Sequence, residues 1–177
     1  MSFRSNGAED GYVTESSATS GVGGALNSGG PQVRAGDSPA DRQIKAILSC
    51  DTSALPDGAT ILSATLRLRR QSLRGTNPFT SLGPCWIDVE TGPFGGNAAL
   101  EASDFQAAAT VVRAGRLSNA ARKGDWSTAA LGAGGLAAIN KAGTTQLRLG
   151  FEPDDKDRKS TRLNSSHIQK SRMPSSA

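Results

Sequence analysis

The sequence predicts an all-β fold: an antiparallel β-sandwich, jelly-roll-like, with one or two short helical turns. Three observations carry the prediction. Short runs alternate apolar and polar residues at a period of two; Gly, Pro, Asn and Asp interrupt them at close intervals; and helical periodicity is confined to brief stretches.

Taken in order, Gly11 to Glu15 around Tyr12 and Val13 is a short strand. Ser16 to Gly30, rich in Ser, Gly and Asn, reads as a loop. Gln32 to Ala35 is a second short strand, closed by Gly36-Asp37. The clearest signal begins at Arg42, where Ile44, Ala46, Leu48 and Cys50 alternate with Gln43, Lys45, Ile47 and Ser49. Ile47 breaks the polar face, which predicts that this face is partly covered. Leu55-Pro56-Asp57-Gly58 is a turn, because Pro presets φ and Gly accepts a positive φ.

Ala64, Leu66 and Leu68 then alternate with Thr65, Arg67 and Arg69, whose arginines are expected on a solvated face with carboxylates opposite. After a loop at Asn77-Pro78-Phe79, Cys85, Ile87 and Val89 alternate with Trp86, Asp88 and Glu90. Thr91 to Asn97 is another loop, and Leu100 to Phe105 a helical turn capped or closed by Ser103 or Asp104. Ala109 to Arg113 reads as a strand, Leu136 to Lys141 as a short helix ending at Gly143, and Gln146 to Phe151 as a strand directing Leu147, Leu149 and Phe151 one way.

The chain divides into a linker or fragment start at 1–9, a module at 10–156 and a tail at 157–177. The tail, DRKSTRLNSSHIQKSRMPSSA, looks like translated sequencing adapter. Asp157 to His167 can be encoded by a constant adapter block and Ser171 to Ala177 by a second, with Ile168, Gln169 and Lys170 where a variable index falls. Such segments are set aside before fold reasoning. The competing readings are a basic disordered arm and a glycosylation sequon at Asn164-Ser165-Ser166. On the adapter reading the tail is disordered, and the module lacks its final strand.

Setting the tail aside changes the charge argument. Arg158, Lys159, Arg162, Lys170 and Arg172 face only Asp157 there, while the whole chain carries 20 basic and 16 acidic residues. Residues 1–156 are therefore neutral, and electrostatic nucleic-acid binding loses its support. The single histidine, His167, also lies in the tail, so the module has no imidazole for a catalytic triad or a His-ligated zinc. No apolar run approaches the ~18 residues of a membrane span. Cys50 and Cys85 read as two buried thiols, or as a bridge if their strands are neighbours.

From Asp41 to Arg70 the sequence resembles the DNRLRE-type family of β-sandwich modules, which are similar to carbohydrate-binding modules. Asp51, Leu55-Pro56, Ile61, Ala64, Leu66 and Leu68 fit the family pattern, while Cys50 stands where Phe is expected. Gly11-Tyr12-Val13, Ala35-Gly36-Asp37 and Asp104-Phe105 resemble flanking segments. The resemblance implies a non-catalytic module of a larger secreted or surface protein, with polysaccharide as its partner and neighbouring domains in the same chain. It also implies a closing strand some way after Phe151, where the tail now stands. The other reading is a structural spacer or adhesion domain.

Candidate ligand contacts follow from side-chain chemistry. A flat aromatic face stacks on a sugar's C–H face while nearby polar groups take its hydroxyls. Trp86 with Asp88 and Glu90 would supply this on a strand, and Trp126 on a loop; each tryptophan has core packing as its plain alternative. Glu152, Asp154 and Asp155 form an acidic run of the kind that can hold structural Ca²⁺, or simply a hydrated turn. Asp88 and Glu90 as a glycosidase pair is the only enzymatic reading, and a two-residue spacing on one strand is the signature of a solvated surface.

Overall fold

The computed structural model describes residues 1–151, 165–169 and 172–174. Twelve strands run in chain order: β1 (Ser2–Arg4), β2 (Gly11–Glu15), β3 (Gly23–Ser28), β4 (Gln32–Asp37), β5 (Gln43–Asp51), β6 (Thr65–Leu73), β7 (Cys85–Thr91), β8 (Val111–Leu117), β9 (Trp126–Ala130), β10 (Thr144–Phe151), β11 (Ser165–Gln169) and β12 (Arg172–Pro174). Two short helices, α1 (Pro78–Ser81) and α2 (Ala133–Ala137), and two 3-10 turns, Phe94–Gly96 and Ala102–Phe105, complete the described elements.

The strands form an antiparallel β-sandwich. One layer runs β8-β7-β10-β5, extended by β2 and β3; the other runs β4-β11-β6-β9. The layers are joined where β4 meets β5 at Gly36–Ile44 and Asp37–Gln43, and by an isolated bridge from Gly115 of β8 to Leu131, just after β9. Between them lies one core. It takes Val33 and Ala35 from β4, and Leu66 and Leu68 from β6. It also takes Ala46, Leu48 and Cys50 from β5, Ile87 and Val89 from β7, and Leu147, Leu149 and Phe151 from β10. The period of two read from the sequence is thus the pleat, with every second residue sent into this core.

A second, smaller core lies on the outer face of β2 and β5. Val13, Ile47, Phe94, Leu100 and Phe105 pack together there, beneath the segment that runs from β7 to β8. Ile47 is fully buried, so the apolar residue on an otherwise polar face marks a covered face, as its position predicts. Burial of an isoleucine of this kind stabilises the fold by about 1.5–3 kcal/mol.

Cys50 and Cys85 are free and buried. Their strands are not neighbours: β10 lies between them, with Cys50 opposite Thr145 and Cys85 opposite Phe151. Six residues at a rise of ~3.3 Å place the thiols far beyond disulfide reach. The bridge is excluded, and two inert thiols remain; desolvation first, and the nearby Asp10 charge second, push Cys50 up to about 12.

Several elements depart from the sequence reading, among them α1, which stands where Asn77-Pro78-Phe79 is read as a loop. Gly23 to Ser28, read as loop, is an edge strand paired only to β2; it is mostly exposed and so carries no alternating pattern. β8 begins at Val111 and continues to Leu117, beyond the stretch assigned from Ala109 to Arg113. α2 starts three residues before the expected Leu136 and ends at Ala137 rather than Lys141; Gly135 lets it press on β8, where a Cβ would meet Ala114 Cβ at 2.9 Å. Trp126 opens strand β9 rather than lying on a loop.

The tail departs too. Within residues 1–151 no strand joins β4 to β6; Ser165–Gln169 takes that place, antiparallel to both. Arg172–Pro174 pairs with Ser2–Arg4. A strand laid between two open edges satisfies both ladders at once. The remainder of 157–177 lies outside the described residues.

Candidate functional site

β7 sends Trp86, Asp88 and Glu90 to the outer face of its layer, as the alternation predicts, but two of the three are occupied. Asp88 stands opposite Arg148 on β10. Its Oδ2 accepts from Arg148 Nε at 3.1 Å and Nη2 at 2.8 Å, and its Oδ1 from the Arg113 main-chain N–H at 3.0 Å. Glu90 Oε2 accepts from the Thr110 main-chain N–H at 2.6 Å and from its hydroxyl at 2.9 Å. Both carboxylates hold the start of β8 and the segment leading into it. Trp86 is half-buried, with the Arg113 guanidinium 5.5 Å from its ring centre.

Arg148 is the centre of this arrangement and carries no signal in the sequence beyond its place on a strand. It is 7 % exposed. Besides Asp88, it donates from Nη1 to the carbonyls of Asp104 at 2.9 Å and Ala107 at 2.7 Å, and it sits 4.7 Å from the Phe94 ring centre. One strand turn away, Gln146 accepts from the Phe94 N–H at 2.7 Å. Two polar residues of β10 thus fasten the β7–β8 segment over the second core. Buried guanidinium and amide groups need such partners, because an unmatched one costs more than the bond returns.

Trp126 belongs to a different surface. β9 pairs with β6 so that Trp126 stands opposite Arg69 and Thr128 opposite Arg67. The outer face of these two strands therefore presents Arg67, Arg69, Trp126 and Thr128. Trp126 is 44 % exposed, and the Arg67 guanidinium lies 4.7 Å from its ring centre. Arg69 Nε donates to the Gly124 carbonyl at 2.9 Å. The carboxylates expected opposite these arginines are absent from β9: an aromatic ring and a hydroxyl occupy those positions. The small residues Ser127 and Ala129 alternate with Trp126, Thr128 and Ala130, a period-two signal weakened by the size of its side chains.

The four proposed contacts are therefore split, with three on the β7 face and Trp126 on β9. The acidic run Glu152, Asp154 and Asp155 lies outside the described residues. A shallow cleft elsewhere is lined by Glu15, Asp37, Asp41 and Gln43 with Phe151. Two of its carboxylates bind nearby main chain: Glu15 accepts from the N–H groups of Gly21 at 2.6 Å and Gln43 at 3.2 Å, and Asp37 from Ser38 at 2.8 Å. Among the described residues no cluster of three or more His, Cys, Asp or Glu is placed to hold a metal ion, and no helix is long and apolar enough to cross a membrane.

Against this geometry, no family model matches the chain and no curated protein matches it.

Proposed function

We propose that the chain is a non-catalytic, extracellular β-sandwich module of carbohydrate-binding, DNRLRE type, carried by a larger secreted or surface protein, and that the outer face of β6 and β9 is its ligand contact. The observation that carries this reading is Trp126, an aromatic ring 44 % exposed on a strand face with cationic and hydroxyl neighbours. Such a ring stacks on a sugar's C–H face, and the groups around it set orientation. Arg67 and Arg69 favour a saccharide bearing carboxylate or sulfate groups, which a planar guanidinium pairs through two bonds. Asp88 and Glu90 serve the covering segment instead.

The test is titration of acidic and neutral oligosaccharides against tryptophan fluorescence, in the native chain and in Trp126→Ala. Saturable quenching that the variant loses supports the reading. Binding that survives Trp126→Ala moves the contact elsewhere. A second reading, a structural spacer or adhesion domain, is favoured by the Arg67 guanidinium already covering one face of the Trp126 ring. An absence of binding across a broad glycan array would decide for it.

A further inference from the structure

β6 and the turn that leads into β9 are basic out of proportion to the rest of the module. β6 carries Arg67, Arg69 and Arg70 and no acidic residue. From Leu117 to Leu131 the basic residues Arg122 and Lys123 face one acid, Asp125. Residues 1–156 as a whole are neutral, so positive charge is concentrated in this region rather than spread over the surface.

The turn is fixed to β6. The Asp125 N–H donates to the Arg122 carbonyl at 3.1 Å, and Asp125 Oδ2 accepts from the Arg122 main-chain N–H at 2.9 Å. Gly124 has a φ of 90°, the positive value that the third residue of such a turn demands. The main chain of Arg70 accepts from the Gly124 N–H at 2.8 Å and donates to the Asp125 carbonyl at 2.9 Å. Arg69 Nε donates to the Gly124 carbonyl at 2.9 Å. Arg70 Nη1 donates to the carbonyl of Ala120 and, at 3.2 Å, to that of Ala121. Main chain and two arginine side chains together hold the turn, and the one acid in it is engaged with its own backbone.

A cationic run is left facing solvent. Arg69, Arg122, Lys123 and Trp126 are all exposed. Trp126 follows the turn directly and stands opposite Arg69, with the Arg67 guanidinium 4.7 Å from its ring centre. From Arg67 to Arg70, where the turn is attached, β6 extends about 10 Å. The surface is therefore longer than a single sugar ring.

We propose that this surface takes an anionic polysaccharide along its length. Trp126 stacks on one sugar unit, and Arg122 and Lys123 hold the sulfate or carboxylate groups of units further along the same polymer. The ligand is then an internal stretch of chain rather than a terminal sugar. This inference rests on the reading of Trp126 as the ligand contact and adds a second, electrostatic contact beside it. A turn already ordered in the free protein costs little further ordering when the ligand arrives.

The experiment is calorimetric titration of the full chain with a sulfated disaccharide and with a sulfated octasaccharide of the same repeat, in NaCl from ~50 to ~200 mM. It is run on the native chain, on Trp126→Ala and on Arg122→Ser combined with Lys123→Ser. Each ionic contact to a polyanion loses about threefold in affinity across that salt range, so two contacts account for about tenfold. The native chain should prefer the octasaccharide and lose about tenfold more of that affinity with salt than the double variant does. Trp126→Ala should weaken both ligands. Arg122 and Lys123 are exposed, so the double variant is expected to fold, which its melting curve checks; Lys123→Ser alone carries the test if it does not. Equal affinity for the two lengths, or a length preference that the double variant keeps, overturns the inference and leaves the Trp126 contact standing. If neither ligand binds, the Trp126 contact fails and the inference falls with it. Duplex DNA bound as tightly as the octasaccharide, and unaffected by Trp126→Ala, overturns the saccharide assignment.

Discussion

The outer faces of β7 and β9 begin from similar ingredients and end in different roles. Each carries a tryptophan with charged residues nearby at a period of two, on β7 itself in one case and on the neighbouring β6 in the other. On β7 a long segment lies across the face, and Asp88, Glu90 and the facing Arg148 are spent on holding it. On β9 no segment from residues 1–151 is described crossing the face; the Arg67 guanidinium alone lies over the Trp126 ring, and Arg67, Arg69, Trp126 and Thr128 face outward. A tryptophan between charges is therefore not itself a binding signal. What decides is whether a neighbouring segment has already claimed the hydrogen-bonding groups.

The largest test of this contrast concerns the layer that carries the bare face. β4 and β6 are joined through Ser165–Gln169, so deleting residues 157–177 leaves two strand edges open. We expect the shortened chain to aggregate in size-exclusion chromatography and to lose its sharp melt, because open edges template further pairing. A monomeric shortened chain with an unchanged melt would mean that this layer needs no joining strand.

Arg148→Ala breaks the covered face from within. It leaves Asp88 without its ion partner and releases two carbonyls of the covering segment, with an expected loss of about 3–5 kcal/mol in denaturant unfolding. Arg148→Met should lose less, since a long apolar stem still packs beneath the segment. If the two variants unfold alike, packing rather than the ion pair holds the segment down.

Asp104 offers a pH test of the same segment. Burial raises its pKa above the ordinary 3.8, so the folded state binds the proton more tightly than the unfolded state. The neutral acid therefore carries no penalty below about pH 3.8, and a cost to stability grows as pH rises through the folded-state value. Asp104→Asn should be relatively more stable than the native chain at neutral pH, with the difference shrinking as pH falls. Parallel curves for the two proteins, recorded as Tm against pH, would show that this carboxyl is not desolvated.

The smallest expected change is Trp126→Ala. An exposed ring on an edge strand contributes little to the core, so unfolding stability should move by no more than about 0.5 kcal/mol. Iodide should quench Trp126 more strongly than the half-buried Trp86. Equal quenching of both would erase the contrast between the faces.

The sequence by itself determined the strands whose two faces differ. Ile44 to Cys50, Ala64 to Leu68 and Cys85 to Val89 each alternate large apolar residues with polar ones, and a pleated strand has one way to bury such a pattern. It also marked Ile47 as covered, since an isoleucine among polar residues needs an apolar neighbour. Where side chains are small or both faces are wet, as in Gly23–Ser28 and Trp126–Ala130, the same periodicity leaves no trace, and those strands came only with their partners. Tertiary structure alone decided which Trp-bearing face stayed open, that β10 keeps Cys50 and Cys85 apart, and that Arg148 reaches the carbonyls of Asp104 and Ala107. Local pattern reports which way a side chain points, whereas these outcomes depend on which distant segment lies against it.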